Sequence, residues 1–171
     1  FQNASIAHAA TNVASGSEGT YYVDAWVYDA AGNSTYVSAK SVKYDITAPA
    51  GNNIRLSVTQ TNQSTVTVSL DAADNFSGVK SVMFCSWYGT YSESFSSKTV
   101  TTGSDGVYST TFNINEIVNS ADNKAYGYDG KYYFNAWVYD NAGNSTLTSM
   151  VNLTYDKTAP TAPTFVIKYI D

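Results

Sequence analysis

Apolar and polar residues alternate along most of this chain, as in Thr65-Val66-Thr67-Val68-Ser69-Leu70, and the alternating runs end at clusters of Gly, Asn, Asp and Ser. A period of two places successive side chains on opposite faces of a strand, so each run reads as a half-buried β-strand. The pattern predicts strands near 53–60, 64–72, 79–88, 95–102, 106–114, 131–140 and 146–155. The stretch from Ile117 to Gly130 is the least regular and is expected to hold a helical turn.

The pattern also repeats at long range. Tyr21 to Thr35 (YYVDAWVYDAAGNST) returns as Tyr132 to Thr146 (YYFNAWVYDNAGNST), identical at 12 of 15 positions and displaced by 111 residues. Lys43 to Pro49 (KYDITAP) answers Thr154 to Pro160 (TYDKTAP), and Ile54, Leu56 and Val58 answer Phe165, Ile167 and Tyr169. Self-similarity at a domain-sized period is the mark of a repeat array. In this register residues 1–45 are the C-terminal part of one repeat, 46–157 a complete repeat, and 158–171 the first strand of a following one.

Seven short strands in about 110 residues, joined by turns such as DNFSG and DNAGN, predict an all-β, immunoglobulin-like β-sandwich, with such repeats in tandem. In both copies a Gly precedes a Tyr by two residues at the start of the penultimate strand (Gly19 and Tyr21; Gly130 and Tyr132), the position of a tyrosine corner. With that tyrosine inward, Tyr132, Phe134, Ala136 and Val138 face the core, while Tyr133, Asn135, Trp137 and Tyr139 face outward. The outward set of the first copy is Tyr22, Asp24, Trp26 and Tyr28. Asp140 to Asn144 then forms a hairpin turn in which Gly143 takes positive φ and the Asp140 carboxylate accepts backbone amides.

Composition narrows the classes of function. Tyr, Thr, Ser, Val and Asn favour strands over helices, and the formal charge of −5 disfavours nucleic acid and anionic membrane surfaces. Cys85 is the single cysteine, so no internal disulfide can form. No apolar run approaches the roughly 18 residues of a membrane span.

The D-SGV, G-Y, DNAGN and D-TAP landmarks resemble tandem bacterial immunoglobulin-like repeats of Gram-positive surface proteins. The run VKSVMFCSWY, then DGVYSTTFNI and DGKYYFNAWVYDNAGN, is similar to the group B streptococcal Bsp-like repeat. The resemblance covers the whole chain and implies an extracellular or cell-wall-associated protein acting as a stalk, an adhesin segment or a module beside a cell-wall hydrolase. Some members carry a His before the penultimate strand; His8 takes that place in the first copy and Asn119 in the second. A Lys–Asn isopeptide cross-link occurs in some similar domains, but no residue pair here is nominated for one.

Catalysis is not expected. His8 is the only histidine, no general base accompanies a nucleophile, and Asp71, Asp74, Asp105 and Asp140 sit where turn chemistry accounts for them. The primary reading is a semi-rigid stalk or spacer: Pro49 and Pro160 fix φ, and the TAP linkers are short. The alternative is a carbohydrate- or peptidoglycan-binding module. If Val82 and Phe84 point inward, then Met83, Cys85 and Trp87 share the outer face with Tyr133, Trp137 and Tyr139, and Tyr22, Trp26 and Tyr28 form the matching stripe of the first copy. Such rings can stack on sugars. No cofactor is expected unless Asp71, Asp74, Asn75, Asp140 and Asn144, with Asp45 or Asp156, supply oxygen ligands to calcium at a junction. The partners expected are neighbouring repeats and cell-wall or host glycans, with no nucleic acid and no membrane. Self-assembly through the edges of residues 1–45 and of Thr164 to Asp171 is a further route.

Overall fold

The structure of the protein, a computed structural model, describes residues 7–8, 13–14, 16–90 and 94–168. The strands in chain order are β1 (Ala7–His8), β2 (Val13–Ala14), β3 (Gly19–Tyr28), β4 (Ser34–Tyr44), β5 (Ala50–Leu56), β6 (Gln60–Thr61), β7 (Thr65–Ala73) and β8 (Val79–Tyr88). They continue as β9 (Ser96–Val100), β10 (Val107–Asn113), β11 (Val118–Asn119), β12 (Lys124–Ala125), β13 (Gly130–Asp140), β14 (Ser145–Leu147) and β15 (Val151–Tyr155). The side chain of His8 and residues 169–171, on which two of the expectations above fall, lie outside the described residues.

From β5 onward the chain is an all-β, immunoglobulin-like sandwich. One sheet runs β10-β7-β5; the other runs β12-β11-β8-β13-β15-β6, with β9 beside β8 and β14 beside β13. Their inner faces meet through Val66, Val68, Leu70, Val82, Phe84, Phe112, Phe134, Val138 and Leu153, each at most 2 % exposed. Each such side chain contributes about 1.5–3 kcal/mol by leaving water. The inward assignment of Tyr132, Phe134, Ala136 and Val138 holds, since all four are buried and the residues between them are half-buried. Close approach of β5 to β13 depends on a glycine: a Cβ on Gly51 would lie 2.7 Å from Val138 Cγ2.

Three elements depart from the sequence reading. The strand expected at 53–60 is two strands, because the chain leaves the β7 sheet after Leu56 and rejoins the other sheet at Gln60, where β6 runs parallel to β15. The strand expected at 146–155 is interrupted between β14 and β15. There the buried Thr148 accepts the Ala136 amide on Oγ1 at 3.0 Å and donates its own amide to Ala136 O. The helical turn expected within 117–130 lies earlier, as a 3-10 turn at Ile114–Glu116 whose Asn113 side chain accepts the Asn115 amide. Its place in 117–130 is taken by the short pair β11 and β12.

The near-copy in residues 19–44 folds differently in one respect. β3 and β4 form an antiparallel hairpin with the same Gly-x-Tyr start, but no second sheet lies over it among the described residues. Val23 and Val27, counterparts of the buried Phe134 and Val138, are 54 % and 59 % exposed. At the other end, Phe165, Val166 and Ile167 are exposed and belong to no strand.

Candidate functional site

Cross-strand register builds the aromatic face as the alternation predicts. Tyr133 pairs with Trp87, Asn135 with Cys85, Trp137 with Met83 and Tyr139 with Ser81 on the outer side of the β8–β13 ladder. Trp87 and Tyr133 stack at 5.9 Å between centroids, and Trp137 and Tyr139 at 6.5 Å. The expectation of a uniformly open stripe needs correction, however. Trp87 is only 2 % exposed, with the Tyr133 ring stacked against it, so it is a supporting ring and not a free platform. Tyr133, Trp137 and Tyr139 are half-buried. An open cavity of about 460 Å³ borders this end of the face, lined by Trp87, Gly89, Thr90, Tyr133 and Met150.

The stripe of the first copy has another environment. Tyr22, Trp26 and Tyr28 are 69 %, 56 % and 68 % exposed, and their cross-strand neighbours are Ser41, Tyr36 and Ser34. With no counterpart of β8 beside them among the described residues, they form an open row where the second copy forms a packed one. Cys85 lies on the packed row. Burial pushes its thiol up to about 11, which keeps it neutral at physiological pH and removes it as a nucleophile.

Of the proposed metal ligands, the structure brings together Asp74 and Asp140 with Asp45, one carboxylate oxygen from each lying within 4.8 Å of the others. Asp71 is not part of this group. It lies on β7 and binds Arg55 on β5 at 2.7 Å, with Asn53 donating to its other oxygen, and these bonds hold its carboxyl below the usual range. Asn144 acts as a donor, its Nδ2 reaching Asp140 Oδ2 at 2.7 Å and the carbonyls of Asp45 and Thr47 at 3.2 and 3.3 Å. Asn75 lines a neighbouring cavity with Glu18 and Phe76.

Each of the three carboxylates already has a structural task. Asp140 Oδ1 accepts the amides of Ala142, Gly143 and Asn144 at 2.9, 2.6 and 2.8 Å, which closes the hairpin around Gly143 at φ 105°. Asp74 Oδ1 does the same for the amides of Phe76 and Gly78. Asp45 belongs to the linker: Oδ1 accepts the Thr47 amide, while Oδ2 reaches across to the Ser77 amide at 3.1 Å. These bonds, led by those with Ser77, hold the Asp45 carboxyl below its ordinary value. Three carboxylates at this spacing match an oxygen-ligand cation site in type, and the turn amides account for their placement without one.

The linker contacts make an acidic joint between the hairpin and the sandwich. Glu18 accepts the Thr47 hydroxyl at 2.6 Å, and Lys43 Nζ donates to Phe76 O at 3.0 Å while lying 5.3 Å over the Phe76 ring. One half of this joint occurs again 111 residues later. Asp129, in the place of Glu18, accepts the Lys157 amide and the Thr158 hydroxyl, and Asp156 accepts the Thr158 amide. Glu18, Thr47, Ser77 and Asp129 were not singled out from the sequence. The signal was there, since an acid directly precedes Gly-x-Tyr in both copies and a Thr stands in both TAP linkers.

A family-wide sequence comparison matches residues 2–46 and 49–157 to the bacterial Ig-like domain. The chain belongs to the bacterial Ig-like family. Membership of these Ig-like domains fits a structural or adhesion-type module, of a kind that is typically non-catalytic and often extracellular. Among the described residues, no helix of the Ig-like chain is long and apolar enough to cross a membrane. Among solved structures it is similar to the fibronectin(III)-like modules of Clostridium thermocellum CbhA. That match has 12 % identity and a TM-score of 0.45, and covers 84 % of this chain and 65 % of that one. No curated protein sequence matches the Ig-like chain significantly.

Proposed function

We propose that this chain is a spacer segment of a multi-repeat surface protein of Gram-positive type, extracellular or attached to the cell wall. In this reading residues 46–157 are one complete repeat between part of a preceding repeat (1–45) and the first strand of a following one (158–171), and the segment carries out no turnover chemistry. The observation that supports it is the joint. Asp45, Thr47, Glu18 and Lys43 tie the hairpin to the loops at Phe76–Ser77 and Asn144 through six hydrogen bonds within and across the linker. A linker held in this way transmits orientation, whereas a solvated one of equal length would leave adjacent units free to rotate.

The test is backbone relaxation by NMR on the full chain. Residues 19–44 are expected to tumble with the sandwich, and an Asp45→Ala, Thr47→Val double variant is expected to give them shorter, separate correlation times. Independent tumbling in the unsubstituted chain would sink the spacer reading.

A second reading, recognition of cell-wall glycans, is favoured by the Trp137–Tyr139 stack, which shares the outer face of β13 with the Trp87–Tyr133 pair and the cavity at its end. Half-exposed rings with neighbouring Asn135 offer both stacking and an amide to a sugar. Titration with solubilised peptidoglycan, read by tryptophan fluorescence, is expected to saturate and to lose its response in Trp137→Ala. A flat titration eliminates this second reading.

A further inference from the structure

Resting on the spacer reading, we infer that Asp129, Asp156 and Thr158 form a preassembled docking surface. Its partner is an Ig-like repeat presenting an Asp-x-x-Ser-Gly loop and an Asp-x-x-Gly-Asn turn. The first joint shows both halves of such an interface. On the linker side, Glu18 accepts the Thr47 hydroxyl and Asp45 Oδ1 accepts the Thr47 amide. On the repeat side, the Ser77 amide in Asp74-x-x-Ser-Gly donates to Asp45 Oδ2, and the Asn144 carboxamide in Asp140-x-x-Gly-Asn donates to the carbonyls of Asp45 and Thr47.

At the second position the described residues supply the linker side. Thr158 is clasped by Asp129 and Asp156 in the same register, so the two bonds that hold Thr47 at the first joint have their counterparts already in place here. What differs is exposure. Asp45 and Pro49 are buried at the first joint, whereas Asp156 and Pro160 are exposed, and Asp156 Oδ2 accepts from no described residue. The surface thus offers one carboxylate oxygen and two linker carbonyls, an all-acceptor set that calls for a backbone amide and a carboxamide. Thr154 replaces Lys43, so the contact of an ammonium with a Phe carbonyl and ring is not reproduced. The second joint is therefore held by the Asp and carbonyl contacts alone.

The experiment extends the chain in phase: residues 1–160 continued by residues 50–171, which places a second Asp74-x-x-Ser-Gly loop after Asp156. Amide exchange by NMR is read at Ser77 of both copies. Protection at both is expected. Asp156→Ala should speed exchange of the added Ser77 amide by about tenfold, the loss of one hydrogen bond to a carboxylate, and leave the first unchanged. Asp45→Ala should do the reverse, and Asp156→Asn, which retains an acceptor, should keep most of the protection. An added Ser77 amide that exchanges freely in the extended chain, or that ignores Asp156→Ala, overturns the inference. Small-angle X-ray scattering separates this from the underlying reading. An extended chain longer by one repeat but with an indifferent Ser77 amide leaves the spacer standing without the docking surface; an extended chain no longer than the original removes both.

Discussion

Asp140 and Asp29 are the same residue of the repeat in two environments, and replacing each by Ala should have very different consequences. Asp140 is fully buried, and its Oδ1 accepts three backbone amides while Oδ2 accepts the Asn144 carboxamide. Hydrogen bonds to a charged acceptor are worth about 1.5–3 kcal/mol each, so complete loss of three would cost roughly 4–9 kcal/mol. Ala142 and Gly143 are exposed, however, and water can take over part of that set. We therefore expect a loss of about 3 kcal/mol, near the upper end for single substitutions. For a sandwich of about 110 residues this lowers Tm by roughly 13 °C. Asp29 makes matching bonds to the amides of Ala31 and Asn33 and to the Asn33 side chain, the last being the main reason its carboxyl lies below its usual value. It is fully exposed, so Asp29→Ala should leave the unfolding midpoint of the sandwich unchanged. Urea unfolding of both variants, compared with the parent, measures the difference. Equal midpoint shifts, or a shift below about 1 kcal/mol for Asp140→Ala, would refute the argument that burial of the turn carboxylate is what makes it costly to lose.

Three further outcomes can be stated. Tyr132→Phe removes the 2.9 Å bond from the buried phenol to Tyr128 O and should cost about 1.5 kcal/mol in the same assay. Ser86 Oγ is fully buried with no partner among the described residues, so Ser86→Ala should stabilise the sandwich by about 1 kcal/mol; a destabilised variant would mean that the hydroxyl is satisfied. The Asp45 carboxyl is held below its ordinary value of 3.8, chiefly by its bonds with Ser77, so its contribution to the order of the first linker is fully present above that value and is lost as pH falls through the lower folded value. NMR relaxation of residues 19–44 should accordingly stay constant from about pH 7 to 5 and show uncoupling only below about pH 4; uncoupling near neutrality would contradict it.

Strand positions were legible wherever one face of a strand is buried and the other is not. The run at β7 is an instance, because the buried Val66, Val68 and Leu70 alternate with Thr67, Ser69 and Asp71. The penultimate strand and its tyrosine corner were equally plain, since Gly130 and Tyr132 recur at Gly19 and Tyr21. The break between β5 and β6 left no local trace: Ser57 and Val58 continue the alternation, and only the two sheets' positions decide that the chain crosses there. The burial of Trp87 was hidden for a related reason, as an outward residue is judged exposed until its neighbour across the ladder, Tyr133, is seen stacked on it. The acidic joint was half legible. Of the two linker acids offered, Asp45 and Asp156, it is Asp45 that lies beside Asp74 and Asp140, whereas Asp71, near Asp74 in sequence, lies apart from them. Its real partner, Arg55, is reachable only through the pairing of β5 with β7.

The parallel contact of β6 with β15 has a mechanical consequence. It joins a strand near the start of the sandwich to its last one, through Thr154 N to Thr59 O at 2.9 Å and Asp156 N to Thr61 O at 3.0 Å. Tension applied along the chain from the two linkers runs along both strands in opposite senses. The bonds between them are then strained side by side and must fail together, whereas a hairpin pulled at its open end gives way one bond at a time. The bonds between β6 and β15 are therefore loaded in shear when the sandwich is pulled from its two linkers, and the loops at Asp74 and Asp140 are not part of that pair.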